Sequence, residues 1–142
     1  MNILKVLTER RKRGNLGERL AARHLKKNGY KILERNYADK DAEIDIISKK
    51  EDTLVFVEVK ARTVPSSSQR ESRPASAVTP EKQKKIIRLA SHYIRSIRHS
   101  GRVRFDVIEV YLTNKNGKDR LFEIKHLINT FDLNSAYRPY RS

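Results

Sequence analysis

Apolar residues recur at helical spacing between Asn15 and Asn28, where NLGERLAARHLKKN carries Leu16, Leu20, Ala21 and Leu25. Gly29 stands where a left-handed C-cap would end this helix. Three β-rich runs follow, Tyr30–Tyr37, Glu43–Ser48 and Leu54–Ala61, with Lys49, Lys50, Glu51 and Asp52 between the last two, and together they predict an antiparallel meander. Val64 to Pro80 is rich in Ser, Pro and Arg and nearly devoid of apolar residues, the composition of a mobile loop. Thr79 and Pro80 offer an N-cap and an N1 proline for a second helix, with an apolar stripe of Ile86, Ile87, Ala90, Tyr93, Ile94 and Ile97 and a basic opposite side. After Gly101, RVRFDVIEVYL and DRLFEIKH read as two strands joined at Asn116-Gly117, a strong hairpin signal whose register would set Glu123 against Val110. The order α-β-β-β-α-β-β predicts an α/β domain, a mixed β-sheet flanked by helices. Residues 1–13 form a basic N-terminal arm, 14–131 the domain with a flexible loop at 64–80, and 132–142 a basic tail.

Strand alternation gives this pattern chemical content. In VFVEVK, Glu58 and Lys60 share one face while Val55, Val57 and Val59 take the other; in EIDII, Glu43, Asp45 and Ile47 oppose Ile44 and Ile46. A turn centred near Lys50 and Glu51 sets Glu58 across from Glu43 or Asp45. Carboxylates facing one another need a cation, and an all-oxygen donor set suits a hard divalent ion, Mg²⁺ or Mn²⁺. Lys60 would stand ready to position a water. Helix arithmetic turns Glu18 toward the edge of the first buried stripe, facing the sheet, and Gln83 inward in register with Ile86, Ile87, Ala90 and Ile94. A second Glu-x-Lys at Glu123 and Lys125 has Asp106 upstream, too far along the ladder to join it. His24 reads as a core histidine.

Charge narrows the partner. The 142 residues hold 32 Lys and Arg against 17 Asp and Glu, a formal charge of +15, which favours a polyanion. There is no Cys, so disulfides and thiol nucleophiles are excluded, and the four His are too scattered for a zinc finger. No apolar run approaches the roughly 18 residues of a spanning helix. The short amphipathic stretch MNILKVLTERRKRG admits a membrane-surface role, though an arm in solvent or against nucleic acid suits its charge better. P-loop and G-x-S-x-G motifs are absent. A cytoplasmic protein acting without a membrane is expected.

The segments GNLGERLAARHLKKNGYKILERNY, AEIDIIS, LVFVEVKAR and RFDVIEV, with the Lys-rich helix between the last two, resemble the YraN-type family of uncharacterised bacterial proteins from about Gly14 to Val110. That family resembles in turn the PD-(D/E)XK restriction-endonuclease-like superfamily, in layout closest to Holliday junction resolvases. The resemblance implies a nuclease-like fold. It matches Asp45 to the motif aspartate, Glu58 and Lys60 to E-x-K, Glu18 to the acid of the first helix and Gln83 to the amide of the later one, while Glu43 belongs to the family's own E-I-D. Ile44 stands where the motif name has Pro, and Ala42 where relatives have Gly.

These readings combine into an expected Mg²⁺- or Mn²⁺-dependent nuclease acting on DNA, branched forms included. Asp45, Glu58, Glu43 and the backbone carbonyl of Val59 would be metal ligands, with Lys60, Glu18 and Gln83 completing the catalytic set. Arg62, Lys82, Lys84, Lys85, Arg102 and Arg104 would contact the nucleic-acid backbone, and a homodimer would suit a duplex. The alternative is a non-catalytic nucleic-acid-binding module of the same fold.

Overall fold

The structure is a computed structural model that describes residues 2–64 and 78–132. Its elements are α1 (Ile3–Lys27), β1 (Lys31–Ala38), β2 (Glu43–Lys50), β3 (Thr53–Thr63), α2 (Pro80–Ser96), β4 (Arg102–Lys115) and β5 (Lys118–Phe131). The strands form one sheet in the order β1-β2-β3-β4-β5. β3 and β4 are parallel and every other pair is antiparallel, because α2 carries the chain back across the sheet between them. The expected mixed α/β order and the meander of β1 to β3 are both present.

Local chemistry accounts for most boundaries. Thr79 Oγ1 accepts the Lys82 N–H at 3.2 Å, with Pro80 as the first helical residue. Gly29 closes α1 at φ +86°, and Asn116 and Gly117 turn the last hairpin at φ +54° and +78°. Residues 3–13 differ from the expected arm: they are the first turns of α1, capped by Asn2, whose Oδ1 accepts the Leu4 N–H. Nothing in that stretch breaks a helix, since it holds neither Pro nor Gly. β5 likewise runs on to Phe131, past the point where its period fades. Of the expected loop at 64–80 and tail at 132–142, residues 65–77 and 133–142 lie outside the described residues.

Two cores sandwich the sheet. On one face Ile86, Ile87, Leu89, Ala90 and Tyr93 of α2 pack on Leu54, Phe56, Phe105 and Phe131; on the other, Ala21, Ala22 and Leu25 of α1 pack on Ile46, Val55, Val57, Ile108 and Val110. Ile97, expected in the α2 stripe, is 44% exposed and lies beyond the helix end. Ile44 packs with the α2 core and not with Ile46. The β2–β3 ladder stops at Ile46 opposite Val57, and beyond it β2 is held only by β1, so Ile44 is free to turn into the other layer.

Gly17 fixes how α1 seats on β3. A Cβ there would lie 2.7 Å from the Ala61 Cβ and 3.8 Å from Val59 Cγ1. Gly17→Val is therefore expected to push α1 off the strand that carries Glu58 and Lys60 and to cost about 1–3 kcal/mol by overpacking. A urea unfolding curve measures this directly, and an unchanged midpoint would contradict the close seating.

Candidate active site

The end of the β2–β3 ladder builds the site. The registers Ile46↔Val57 and Ile47↔Phe56 are the last before β2 and β3 part, and their continuation leads Asp45, rather than Glu43, toward Glu58. Where β2 leaves β3, the Val59 N–H is satisfied by a side chain, donating to Asp45 Oδ2 at 2.8 Å. Glu58 is only 8% exposed, facing α2 as the alternation with Leu54 and Phe56 requires. Lys60 Nζ lies 3.9 Å from Glu58 Oε1.

A second tier of acids comes from the other side of β2. With its amide nitrogen turned to the carboxylates, the orientation that satisfies both amide atoms, Asn36 donates to Glu18 at 3.0 and 3.2 Å and to Glu43 Oε1 at 3.1 Å. Arg35 Nη2 lies 3.7 Å from Glu18 Oε2. Sequence reasoning missed Asn36; its signal is the left-handed φ of +52°, which Asn tolerates better than most residues and which aims its amide off the strand path. The turn leading into Glu43 is set by Asp39, whose carboxylate accepts the Asp41 and Ala42 N–H groups and pairs with Arg88 at 3.0 Å. The Asp41 N–H, with Arg88 adding to it, holds the Asp39 carboxyl at about 2. Ala42 packs its methyl against the α2 core.

The electrostatic result is concentrated on Asp45. Its carboxyl is pushed up to about 7, first by burial and then by the charge of Glu58, with Glu18 and Glu43 adding and the Val59 N–H opposing. Glu43, Asp45 and Glu58 line a cleft of about 440 Å³ whose far wall is the start of α2, from Thr79 to Ile86. Lys82 reaches across it, Nζ to Glu58 Oε1 at 2.5 Å.

Among the described residues no three His, Asp or Glu side chains are gathered closely enough to hold a metal as they stand. The donor set nevertheless fits a hard cation: Asp45 Oδ1, Glu58 and Glu43 are all oxygens on one cleft, and a cationic ammonium already rests on Glu58. Asp45, Glu58 and Glu43 would hold Mg²⁺ or Mn²⁺, with Glu18 behind them.

Other expected site residues fall elsewhere. Gln83 does not line the cleft; its Nε2 donates to the Val78 carbonyl at 2.8 Å, pinning the chain that leads into α2. Lys82 is paired with Glu58 while its side chain stays partly exposed. Arg104 is held on the α1 face of the sheet by Asp106 at 2.9 Å and by the Tyr30 hydroxyl at 2.5 Å, so it is a structural cation. Arg102 is exposed but pairs with Thr53, five residues before Glu58, about 17 Å along the strand. Lys84 and Lys85 are exposed on α2, Lys85 at the cleft wall, and Arg62 is half-buried near the end of β3. The second Glu-x-Lys is dispersed along β5: a register shift between Tyr111 and Leu112 sets Glu123 opposite Tyr111 instead of Val110.

A family model described as "Uncharacterised protein family UPF0102" matches residues 17–110. A UPF0102 protein of Clostridioides difficile is 43% identical over 122 residues, 85% of this chain and 97% of that protein. Another, from Caldanaerobacter subterraneus, is 44% identical over 119 residues, 83% of this chain and 93% of that protein. Among solved structures, Pyrococcus furiosus SfsA in complex with Ca²⁺ aligns with a TM-score of 0.39 and 14% identity, over 82% of this chain and 62% of that one, too low a similarity to bear on the site. No helix among the described residues is long and apolar enough to cross a membrane.

Proposed function

The chain belongs to the uncharacterised protein family UPF0102, and we propose that it is a divalent-cation-dependent nuclease of the restriction-endonuclease-like kind, acting on DNA in the cytoplasm. The observation that carries this reading is the pair Asp45 and Glu58 lining one cleft beside a basic helix, with Asp45 accepting the N–H of Val59, the residue after Glu58, and Lys60 at 3.9 Å from Glu58. The cation, when bound, supplies electrophilic activation of the phosphodiester and a lowered pKa for the attacking water. Asp45, Glu58 and Glu43 would hold it, with the backbone carbonyl of Val59 as a further oxygen. Lys60 positions the water and meets negative charge as it develops. Lys84 and Lys85 engage the phosphodiester chain, and a two-fold dimer would present two such clefts to a duplex.

One observation favours a second reading. Glu58 already has Lys82 for a partner, so the acids could be structural in a module that binds nucleic acid without cutting it. Labelled four-way junction, flap, nicked duplex and single-stranded substrates, each incubated with EDTA, Mg²⁺ or Mn²⁺, separate the two. The nuclease predicts metal-dependent cutting by the wild type that a Glu58→Ala, Lys60→Ala double variant, purified identically, has lost. Tight, salt-sensitive binding without cutting by either protein would overturn it in favour of the module.

A further inference from the structure

Lys82 sits where the carboxylate pair needs positive charge. It is the third residue of α2, and its backbone is fixed by the Thr79 cap and by Pro80. From there the side chain crosses the cleft to Glu58 Oε1 at 2.5 Å, closer than the 3.9 Å from Lys60, the cation on Glu58's own strand. Glu58 side-chain exposure is 9% while that of Lys82 is 44%, so the acid is fixed and the lysine has solvent to retreat into. A buried carboxylate beside Asp45 gains from a nearby positive charge, and an ammonium on a four-carbon stem can supply it reversibly.

We propose that Lys82 is a displaceable internal counter-ion: it neutralises Glu58 while the cleft holds no divalent cation, and it must leave Glu58 when one binds. This rests on the reading of Asp45 and Glu58 as metal ligands. The physical argument is one of charge and space. A dication at Glu58 would meet the Lys82 ammonium at contact distance from the same oxygen, and like charges so close cannot share it. Metal affinity is therefore set by competition as much as by the acids. A released Lys82 remains tethered to the first turn of α2, on the cleft wall where Lys85 also lies, and so becomes available to an anionic substrate only after the cation is in place.

The competition is read as Mn²⁺ affinity, by calorimetry and by the EPR signal of free Mn²⁺, with no nucleic acid present. Lys82→Met, neutral and of similar length, is expected to bind Mn²⁺ about tenfold or more tightly than wild type. Lys84→Met, which removes the same charge from an exposed position two residues away, is expected to change affinity no more than about twofold. Lys82→Gln serves as a second variant that leaves Glu58 a hydrogen-bond partner, and it should move in the same direction. Equal effects of the Lys82 and Lys84 substitutions would overturn the counter-ion and leave the metal reading intact. If no protein binds Mn²⁺ in a manner abolished by Glu58→Gln, the metal reading itself fails.

Discussion

Asp45→Asn is expected to remove metal-dependent cleavage and, in the same protein, to raise the stability of the metal-free fold. The two effects have one origin. Asp45 is held among Glu58, Glu18 and Glu43 with a single N–H, that of Val59, to compensate it, so burial and like charge push its carboxyl up to about 7. From the ordinary value of 3.8 this corresponds to a few kcal/mol, at about 1.36 kcal/mol per pH unit. An acid whose pKa is raised by folding binds more protons folded than unfolded between those two values. Stability therefore falls as pH rises from about 4 to about 7, and the cost is present in full above 7. The carbonyl oxygen of the substituted side chain would still accept the Val59 N–H, and its amide nitrogen would donate toward Glu58 in place of a charge that repels it. In EDTA at pH 8 the variant should melt roughly 10 °C above wild type, and the gap should close as pH approaches 4. Adding Mg²⁺ should raise the wild-type melting temperature and leave that of Asp45→Asn nearly unmoved. Loss of cleavage should reach about 10³-fold, the several kcal/mol that a correctly held cation contributes. A variant that melts below wild type at pH 8 without metal would mean that Asp45 carries no such strain.

This opposition between stability and activity also separates what the sequence discloses from what it conceals. Alternation in a strand is a property of the backbone, and a short turn fixes register, so the approach of Asp45 to Glu58 follows from EIDII, six intervening residues and LVFVEVK. The caps of α2 and the Asn116-Gly117 turn are equally local. Destinations of long cations are not. Lys82 and Arg104 look alike on paper as basic residues beside the core, yet one spans the cleft to an acid on β3 and the other is sequestered against Asp106 on the opposite face. Their partners are chosen by tertiary placement, to which composition is blind. Gln83 shows the same limit at shorter range: its inward phase on the helix is what the spacing gives, but a carbonyl five residues upstream captures its amide before it can reach the cleft. Ile44 escapes its expected face only because a ladder ends beside it, and a bulge between Tyr111 and Leu112 displaces Glu123 by one partner. Both strand departures occur where the ladder is interrupted.

The same sheet holds a second buried acid, and there the expected result has the opposite sign. Asp106→Ala should destabilise the protein by about 3–5 kcal/mol, because it strips the anion from the largely buried Arg104 and leaves His126 and the Asn129 N–H without their acceptor. The Asp106 side chain is fully buried; Arg104 donates to it twice at 2.9 Å, His126 Nε2 lies at 2.7 Å, and the Asn129 N–H donates at 2.9 Å. Through Tyr30, which accepts from Arg104, and His24, whose ring meets His126 edge-on at 5.4 Å, the network ties α1 and the start of β1 to β4 and the end of β5. Burial alone would raise the Asp106 carboxyl, but the donors from His126, Arg104 and Asn129 outweigh it and hold the carboxyl below its usual value. An acid depressed by folding lends stability above its unfolded pKa and loses it as pH falls through the folded one, so wild type and variant should converge only under strongly acid conditions. Asp106→Asn, which keeps acceptors but no charge, should fall between them. Because β4 pairs Val107 with Glu58, this network also braces the strand that carries the candidate site from the face opposite the cleft. Cleavage by Asp106→Asn should accordingly track its folded fraction and not drop below it. Urea unfolding at pH 7 reads the cost; a loss under about 1 kcal/mol for Asp106→Ala would show that Arg104 and His126 find other partners and that the brace lies elsewhere.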